Sequence, residues 1–207
     1  NFDTGTLTVS FTAGSDSSED VLSIRNQGTS AGQIGVSGAN ITYGGTVIGT
    51  FTGGSGGTNL VITLNANATP TAVTALVQNI TYENTDTAAP TAGARTVRYS
   101  LTDGDGGTSA NYDTTVTVSG VNDAPVNTVP GAQTVNEDTA LNITGLSVTD
   151  VDGNLSTVQL GVLNGTVSVA LQGGATISSG SNGTNTLTLS GSQADLNATL
   201  ATLTYQG

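Results

Sequence analysis

Thr6-Leu7-Thr8-Val9-Ser10-Phe11 alternates polar with apolar side chains over six residues. In an extended chain successive side chains point to opposite faces, so this stretch reads as a strand with one face in a core and the other in water. The same alternation recurs in Val97-Arg98-Tyr99-Ser100-Leu101, in Thr115-Val116-Thr117-Val118 and in Thr186-Leu187-Thr188-Leu189. Clusters of Gly, Asn, Asp and Ser separate such stretches, as in Gly53-Gly54-Ser55-Gly56-Gly57. Short alternating strands between turn signals suggest an antiparallel β-sandwich. Only two short segments predict helix. They are Pro70 to Gln78, where proline suits a first turn, and Gln193 to Ala201.

Composition supports strands and closes off much chemistry. The 38 threonines among 207 residues favour a pleated surface. The chain has no His, Cys, Lys, Met or Trp. A zinc site of the usual kind, a thiol nucleophile, a Ser-His-Asp triad, a Schiff base and a disulfide framework are therefore all excluded. The net charge is −12, with Arg25, Arg95 and Arg98 as the only basic side chains. A chain so acidic repels phosphate backbones and anionic membranes, which argues against nucleic acid as a partner. No run approaches 18 apolar residues, so membrane insertion is not expected. Aromatic residues make up only 4% of the chain, too few to build a sugar platform beside a glycosidase carboxylate pair. The expectation is a protein that is not an enzyme.

Both helical segments sit inside a repeat. Ala72-Val73-Thr74-Ala75-Leu76-Val77-Gln78-Asn79-Ile80-Thr81-Tyr82 is matched by Ala194-Asp195-Leu196-Asn197-Ala198-Thr199-Leu200-Ala201-Thr202-Leu203-Thr204-Tyr205. Each follows a strand, Leu60 to Leu64 or Leu187 to Leu189, and each ends in apolar-x-Tyr. The chain thus holds parts of two related units, joined at Val121-Asn122-Asp123-Ala124-Pro125. The expected organisation is a first sandwich over residues 1–120 lacking its first strand, a linker over 121–126, and a second sandwich over 127–207. The second stops before strands equivalent to Ala94–Leu101 and Asp113–Ser119. The whole reads as an excerpt of a longer chain.

The acids are not scattered. Asp150-Val151-Asp152-Gly153-Asn154 sets two carboxylates two residues apart with an amide two further on, and Asp103-Gly104-Asp105-Gly106-Gly107 repeats the carboxylate pair. Residues i and i+2 of an extended chain share a side, so each pair can aim at one cation, and Ca²⁺ takes six to eight oxygens. A plain Asx turn gives the same pattern, so both readings stay open. An EF-hand is excluded because the twelfth positions are Gly161 and Thr114, not Glu.

The linker adds an ordered set of motifs. Val121-Asn122-Asp123-Ala124-Pro125 is followed by Asn136-Glu137-Asp138 and then Thr149-Asp150-Val151-Asp152-Gly153, while Tyr82-Glu83 and Thr102-Asp103-Gly104 precede it. In order and spacing these resemble the calcium motifs of the cadherin superfamily. The runs V-N-D-A-P-V, V-N-E-D-T-A-L and A-D-L-N-A-T-L-A-T-L-T-Y look like the cadherin-like tandem repeats of large bacterial surface and secreted adhesins. That resemblance implies an all-β fold of tandem antiparallel Greek-key sandwiches of cadherin/Ig type, each with one short helix. It implies Ca²⁺ held at the junction by Asn122, Asp123, Asp150 and Asp152, with Glu83 or Asp86 reaching from the first unit. It also implies a second level at Asp103 and Asp105, with Asp3 beside them, while Glu137 faces the next linker. The linker carries one Asp where animal cadherins carry more, which implies fewer ions.

The function expected is a calcium-stiffened spacer in a long extracellular or cell-surface bacterial protein, its partners being neighbouring repeats. Two alternatives stay open. One is a fibre built by strand exchange between incomplete sandwiches of like chains. The other is a module that binds a protein or glycan. Asp16, Glu19 and Asp20 are expected in a solvated acidic loop, and Arg95 and Arg98 on strand surfaces, where ion pairs contribute little. Tyr82 and Tyr205, equivalent by the repeat, are expected to pack structurally.

Overall fold

The computed structural model describes residues 1–207. The chain is mostly β and divides into two compact units, Asn1–Gly120 and Val121–Gly207. Each has its own apolar core.

Unit 1 runs β1 (Thr6–Ala13), β2 (Asp20–Ile24), β3 (Ile34–Ser37), β4 (Asn40–Tyr43), β5 (Thr46–Thr52), β6 (Leu60–Leu64), α1 (Pro70–Val77), β7 (Ile80–Asn84), β8 (Gly93–Leu101) and β9 (Tyr112–Val118). Seven strands form one antiparallel sheet in the order β3-β4-β5-β6-β1-β8-β9, and β2 pairs with β7 in a second. The expected alternation is realised. Leu7 and Val9 of β1 are buried, while Thr6, Thr8 and Ser10, which alternate with them, are partly exposed. Leu22 and Ile24 of β2 join the same core as Leu7, Val9, Leu60, Ile62 and Val97, so the two sheets share one interior. The β4–β5 hairpin turns on Gly44 and Gly45, both at positive φ (57° and 82°), the left-handed pair that a two-residue hairpin loop requires.

Unit 2 runs β10 (Val126–Thr128), β11 (Ala140–Asn142), β12 (Ser147–Thr149), β13 (Thr157–Gly161), β14 (Thr166–Ser168), β15 (Thr176–Gly180), β16 (Thr186–Ser190), α2 (Gln193–Leu200) and β17 (Thr204–Gln206). Its sheets are β10-β12, β11-β17-β14 and β13-β16-β15. Val148, Val167, Leu187, Leu189, Leu196 and Leu200 make the core.

Both helices end one residue earlier than their sequences predict, because Gln78 and Ala201 serve as C-caps. Their starts follow from local chemistry. The Thr69 hydroxyl accepts the Ala72 N–H at 3.2 Å, and Pro70 supplies a first residue that needs no N–H partner. In α2 the Ser192 hydroxyl accepts the Asp195 N–H and donates to the Asp195 carboxylate. Each helix buries one stripe, Ala72, Val73 and Leu76 in α1, and Leu196, Thr199 and Leu200 in α2.

The internal repeat sets strand equivalence. β6–α1–β7 corresponds to β16–α2–β17. Tyr82 of β7 lies opposite Leu22 of β2, and Tyr205 of β17 lies opposite Val167 of β14. Two residues before these partners stand Asp20 in unit 1 and Gly165 in unit 2.

Because the cores are separate, Leu196→Ala is expected to destabilise unit 2 by about 2–5 kcal/mol, through lost burial and a cavity. Amide exchange should accelerate in β16 and α2 and stay unchanged in β1 and β6. Equal acceleration in both units would show that they unfold as one.

Candidate functional site

Four of the nine residues expected at calcium sites meet in unit 2. The Asp150 main-chain N–H donates to Oε1 of Gln193, the first residue of α2, at 2.8 Å. Asn197, one turn along the helix, accepts from the Val148 N–H and donates to the Val148 carbonyl, both at 2.8 Å. These bonds fix the end of β12 and deliver Asp150 to a buried position. Its Oδ1 then accepts the Asp152 N–H at 3.0 Å, and its carbonyl accepts the Gly153 N–H at 3.3 Å. The tight loop turns Asp152 outward, where its carboxylate accepts the Asp123 N–H at 2.5 Å. Beside it the Asn154 amide donates to Oδ1 of Asn122, whose own amide donates to the Asp123 carbonyl at 3.0 Å. The segment entering unit 2 is thus hydrogen-bonded onto the D-x-D-G loop.

The other predicted ligands do not join a cluster. Asp103 closes on its own loop, its Oδ1 accepting the N–H groups of Asp105 and Gly107, both at 2.9 Å. Those two donors hold its carboxyl below the ordinary value. A Cβ at Gly107 would come within 2.4 Å of the Asp103 carboxylate, so any larger residue there would displace that carboxylate from its place in the turn. Here D-x-D-G is an Asx turn. Asp3 approaches the loop through its carbonyl, which lies against Gly104. Asp105 is exposed. Asp86 accepts the N–H groups of Ala88 and Ala89, both at 3.0 Å, which lower its carboxyl in the same way. Glu83 and Glu137 are exposed on β7 and on the segment before β11. Nowhere do three or more carboxylates converge closely enough to hold a metal ion.

A buried polar cluster lies where the sequence suggests a solvated loop. Glu19, Asp20 and Arg95 are 5%, 2% and 1% exposed, which corrects the expectation for all three. Arg95 donates through Nε to Asp20 at 3.0 Å and through Nη2 to Glu19 at 3.3 Å and to the Thr91 carbonyl at 2.5 Å. Nη1 donates to the Gly93 carbonyl at 3.2 Å. Asp20 also accepts the Tyr82 hydroxyl at 2.5 Å and the Asp16 N–H at 2.7 Å, and Glu19 accepts the Thr91 N–H at 2.9 Å. Every charged group in the cluster is paired and hydrogen-bonded, as burial demands. The cluster ties β8 of the large sheet to β2 and β7 of the small one and leaves no acid or base free to act on a ligand.

The signal for it was present. Arg95 shares strand parity with the buried Val97, so a guanidinium on an inward position needs acids beside it. Arg98, on the other face, makes the exposed cross-strand pair expected for it, with Nε and Nη2 at 2.7 and 2.8 Å from the Asp113 carboxylate. Tyr82 also packs edge-on against Phe11 with ring centroids 6.0 Å apart.

Burial alone would raise the Asp20 carboxyl. The Tyr82 hydroxyl, the Asp16 N–H and the Arg95 guanidinium outweigh it and hold the group below its ordinary 3.8. Burial and the Asp20 carboxylate push the Tyr82 phenol above its ordinary value.

Comparison with family models, with curated proteins and with solved structures returns no match.

Two outcomes follow from the buried cluster. A depressed carboxyl stabilises the fold fully above its unfolded value and loses that contribution as pH falls through the folded one. Unit 1 is therefore expected to lose stability as pH drops below 3.8, and Asp20→Asn should flatten that dependence in denaturant titrations run from pH 6 to 2. Arg95→Met should destabilise unit 1 far more than Arg98→Met, since breaking a buried pair strands a charge and breaking an exposed one does not. Equal midpoint shifts for the two variants would refute the clamp.

Proposed function

We propose that the chain is a calcium-stiffened spacer, two cadherin-like repeats of a long extracellular bacterial protein, and that it acts by holding distance rather than by catalysis. The observation that carries this reading is the Asp123 N–H on the Asp152 carboxylate, with the Asn122–Asn154 contact beside it. The segment that enters unit 2 already lies on the acidic loop. On this reading each unit is a Greek-key sandwich. The support is a set of antiparallel sheets sharing one core in each unit, and one short helix at the same point of each repeat.

The donor chemistry suits a hard cation. Asn122, Asp123, Asp150 and Asp152 offer only oxygen ligands. These side chains would hold the ion, and Asn154 stands beside them. Bound calcium would supply positive charge beside the Asp150 and Asp152 carboxylates, on the loop that the Asp123 main chain meets. Asp150 keeps the loop's shape through its bond to the Asp152 N–H, and Gln193 keeps Asp150 in place. The result is a chain entry whose freedom is restricted on the surface of unit 2. An ion that binds only the folded state also stabilises it, by about 2.7 kcal/mol when free calcium is a hundred times its dissociation constant.

Scanning calorimetry with and without millimolar CaCl₂ tests this, using MgCl₂ at equal ionic strength to separate site binding from screening. The expected result is a calcium-specific rise in the unit 2 transition that is lost in Asp150→Asn/Asp152→Asn. A rise of equal size with magnesium, or one retained in the double variant, would remove calcium from the mechanism.

A further inference from the structure

The chain contains two Asn-Gly pairs, both in unit 2. Asn164-Gly165 leads into β14, and Asn182-Gly183 lies between β15 and β16. Asparagine is a thermolabile residue. The main-chain nitrogen of the next residue can attack its side-chain carbonyl carbon, and glycine, with no Cβ, hinders that approach least. Both pairs are followed by threonine, Thr166 and Thr184, so the reacting side of each has the same sequence. In an unfolded chain the two should react alike. The fold separates them.

Asn182 is locked, although it is exposed. Its Oδ1 accepts the Val169 N–H and its Nδ2 donates to the Val169 carbonyl, both at 2.9 Å. The nitrogen that would attack is also engaged. The Gly183 N–H donates to the Val167 carbonyl at 2.9 Å and to the Ser168 hydroxyl at 3.0 Å. Ring closure at Asn182 therefore requires the side chain and the attacking nitrogen to be released together.

Asn164 carries no such lock. It is exposed beside Leu163, which is 99% exposed. Neither its side-chain amide nor the Gly165 N–H has a hydrogen-bond partner within the chain. The glycine is nevertheless fixed by packing. Gly165 has a φ of 79°, and a Cβ there would collide with the Gln206 carbonyl and the Tyr205 ring. The fold thus demands glycine after Asn164 and leaves the asparagine free to react with it.

We propose that Asn164 is a self-modification site, at which the folded chain deamidates without an enzyme. The Gly165 nitrogen gives its proton to solvent base and bonds to Cγ of Asn164, and the side-chain nitrogen leaves as ammonia. Water then opens the succinimide ring at one of its two carbonyls, giving aspartate or isoaspartate. The sum is one water consumed and one ammonia released, with no change of oxidation state. Each product adds a carboxylate to a unit that holds six acids and no base. The isoaspartyl product also adds one main-chain atom just ahead of β14.

The test follows the side-chain amide signals of the full ¹⁵N-labelled chain by NMR at mildly alkaline pH, without digestion. In the native chain the Asn164 signal is expected to decay at least about tenfold faster than that of Asn182, since the latter must first give up its hydrogen bonds. In concentrated urea the two should decay at similar rates. Isoelectric focusing of the aged native chain should show a new acidic band, and Asn164→Gln, which keeps a neutral amide but must close a larger ring, should lack it. Equal decay of the two signals in the native chain, or faster decay at Asn182, would overturn the assignment. So would an Asn164 signal that persists in the native chain after the urea sample is spent, or an acidic band retained in Asn164→Gln.

Discussion

A strand offers only every second side chain to the interior, and most of what this chain does follows from that parity. With few aromatic residues and no methionine, the cores are built from Leu, Ile, Val and Ala at alternate positions. Parity places Leu7 and Val9 inside, and it places Arg95 inside with them, on the same face as Val97. A guanidinium there is tolerable only because Asp20, Glu19 and two carbonyls accept its protons. The one fully buried charge network is thus a consequence of strand register, and it fastens the small sheet of unit 1 to the large one.

The elements with strong periodicity were legible in the sequence. Thr6–Phe11, Val97–Leu101, Thr115–Val118 and Thr186–Leu189 all lie within strands, and both helices start at the predicted residues. Local chemistry fixed those starts, in Pro70 and in the Thr69 and Ser192 caps. The buried cluster was not read, because Asp16, Glu19 and Asp20 stand among serines and look solvated until β8 is brought beside β2. A contact between residues 20 and 95 carries no local signature. Its only trace was an arginine on an inward parity.

The two D-x-D-G segments show why a short acidic motif cannot be interpreted from its letters. Around Asp103 the carboxylate turns back on the N–H groups of Asp105 and Gly107, and the loop is self-contained. Around Asp150 the first carboxylate shapes the loop in a similar way, but the second is turned out and meets Asp123. The difference lies in what surrounds each loop. Gly107 leaves room for the Asp103 carboxylate to fold in, and Gln193 on α2 anchors Asp150 from behind.

The exchange of Asp20 for Gly165 bears on how neighbouring repeats stay distinct while folding. Tandem units of similar sequence on one chain risk trading strands and trapping misassembled intermediates. If β8 of unit 1 were laid on β13, Arg95 would enter an interior with no carboxylate at the position of Asp20 and no hydroxyl bonded to one, stranding a buried charge. In its own unit the same guanidinium meets Asp20 and Glu19, so the native pairing avoids the cost that the exchanged pairing would carry.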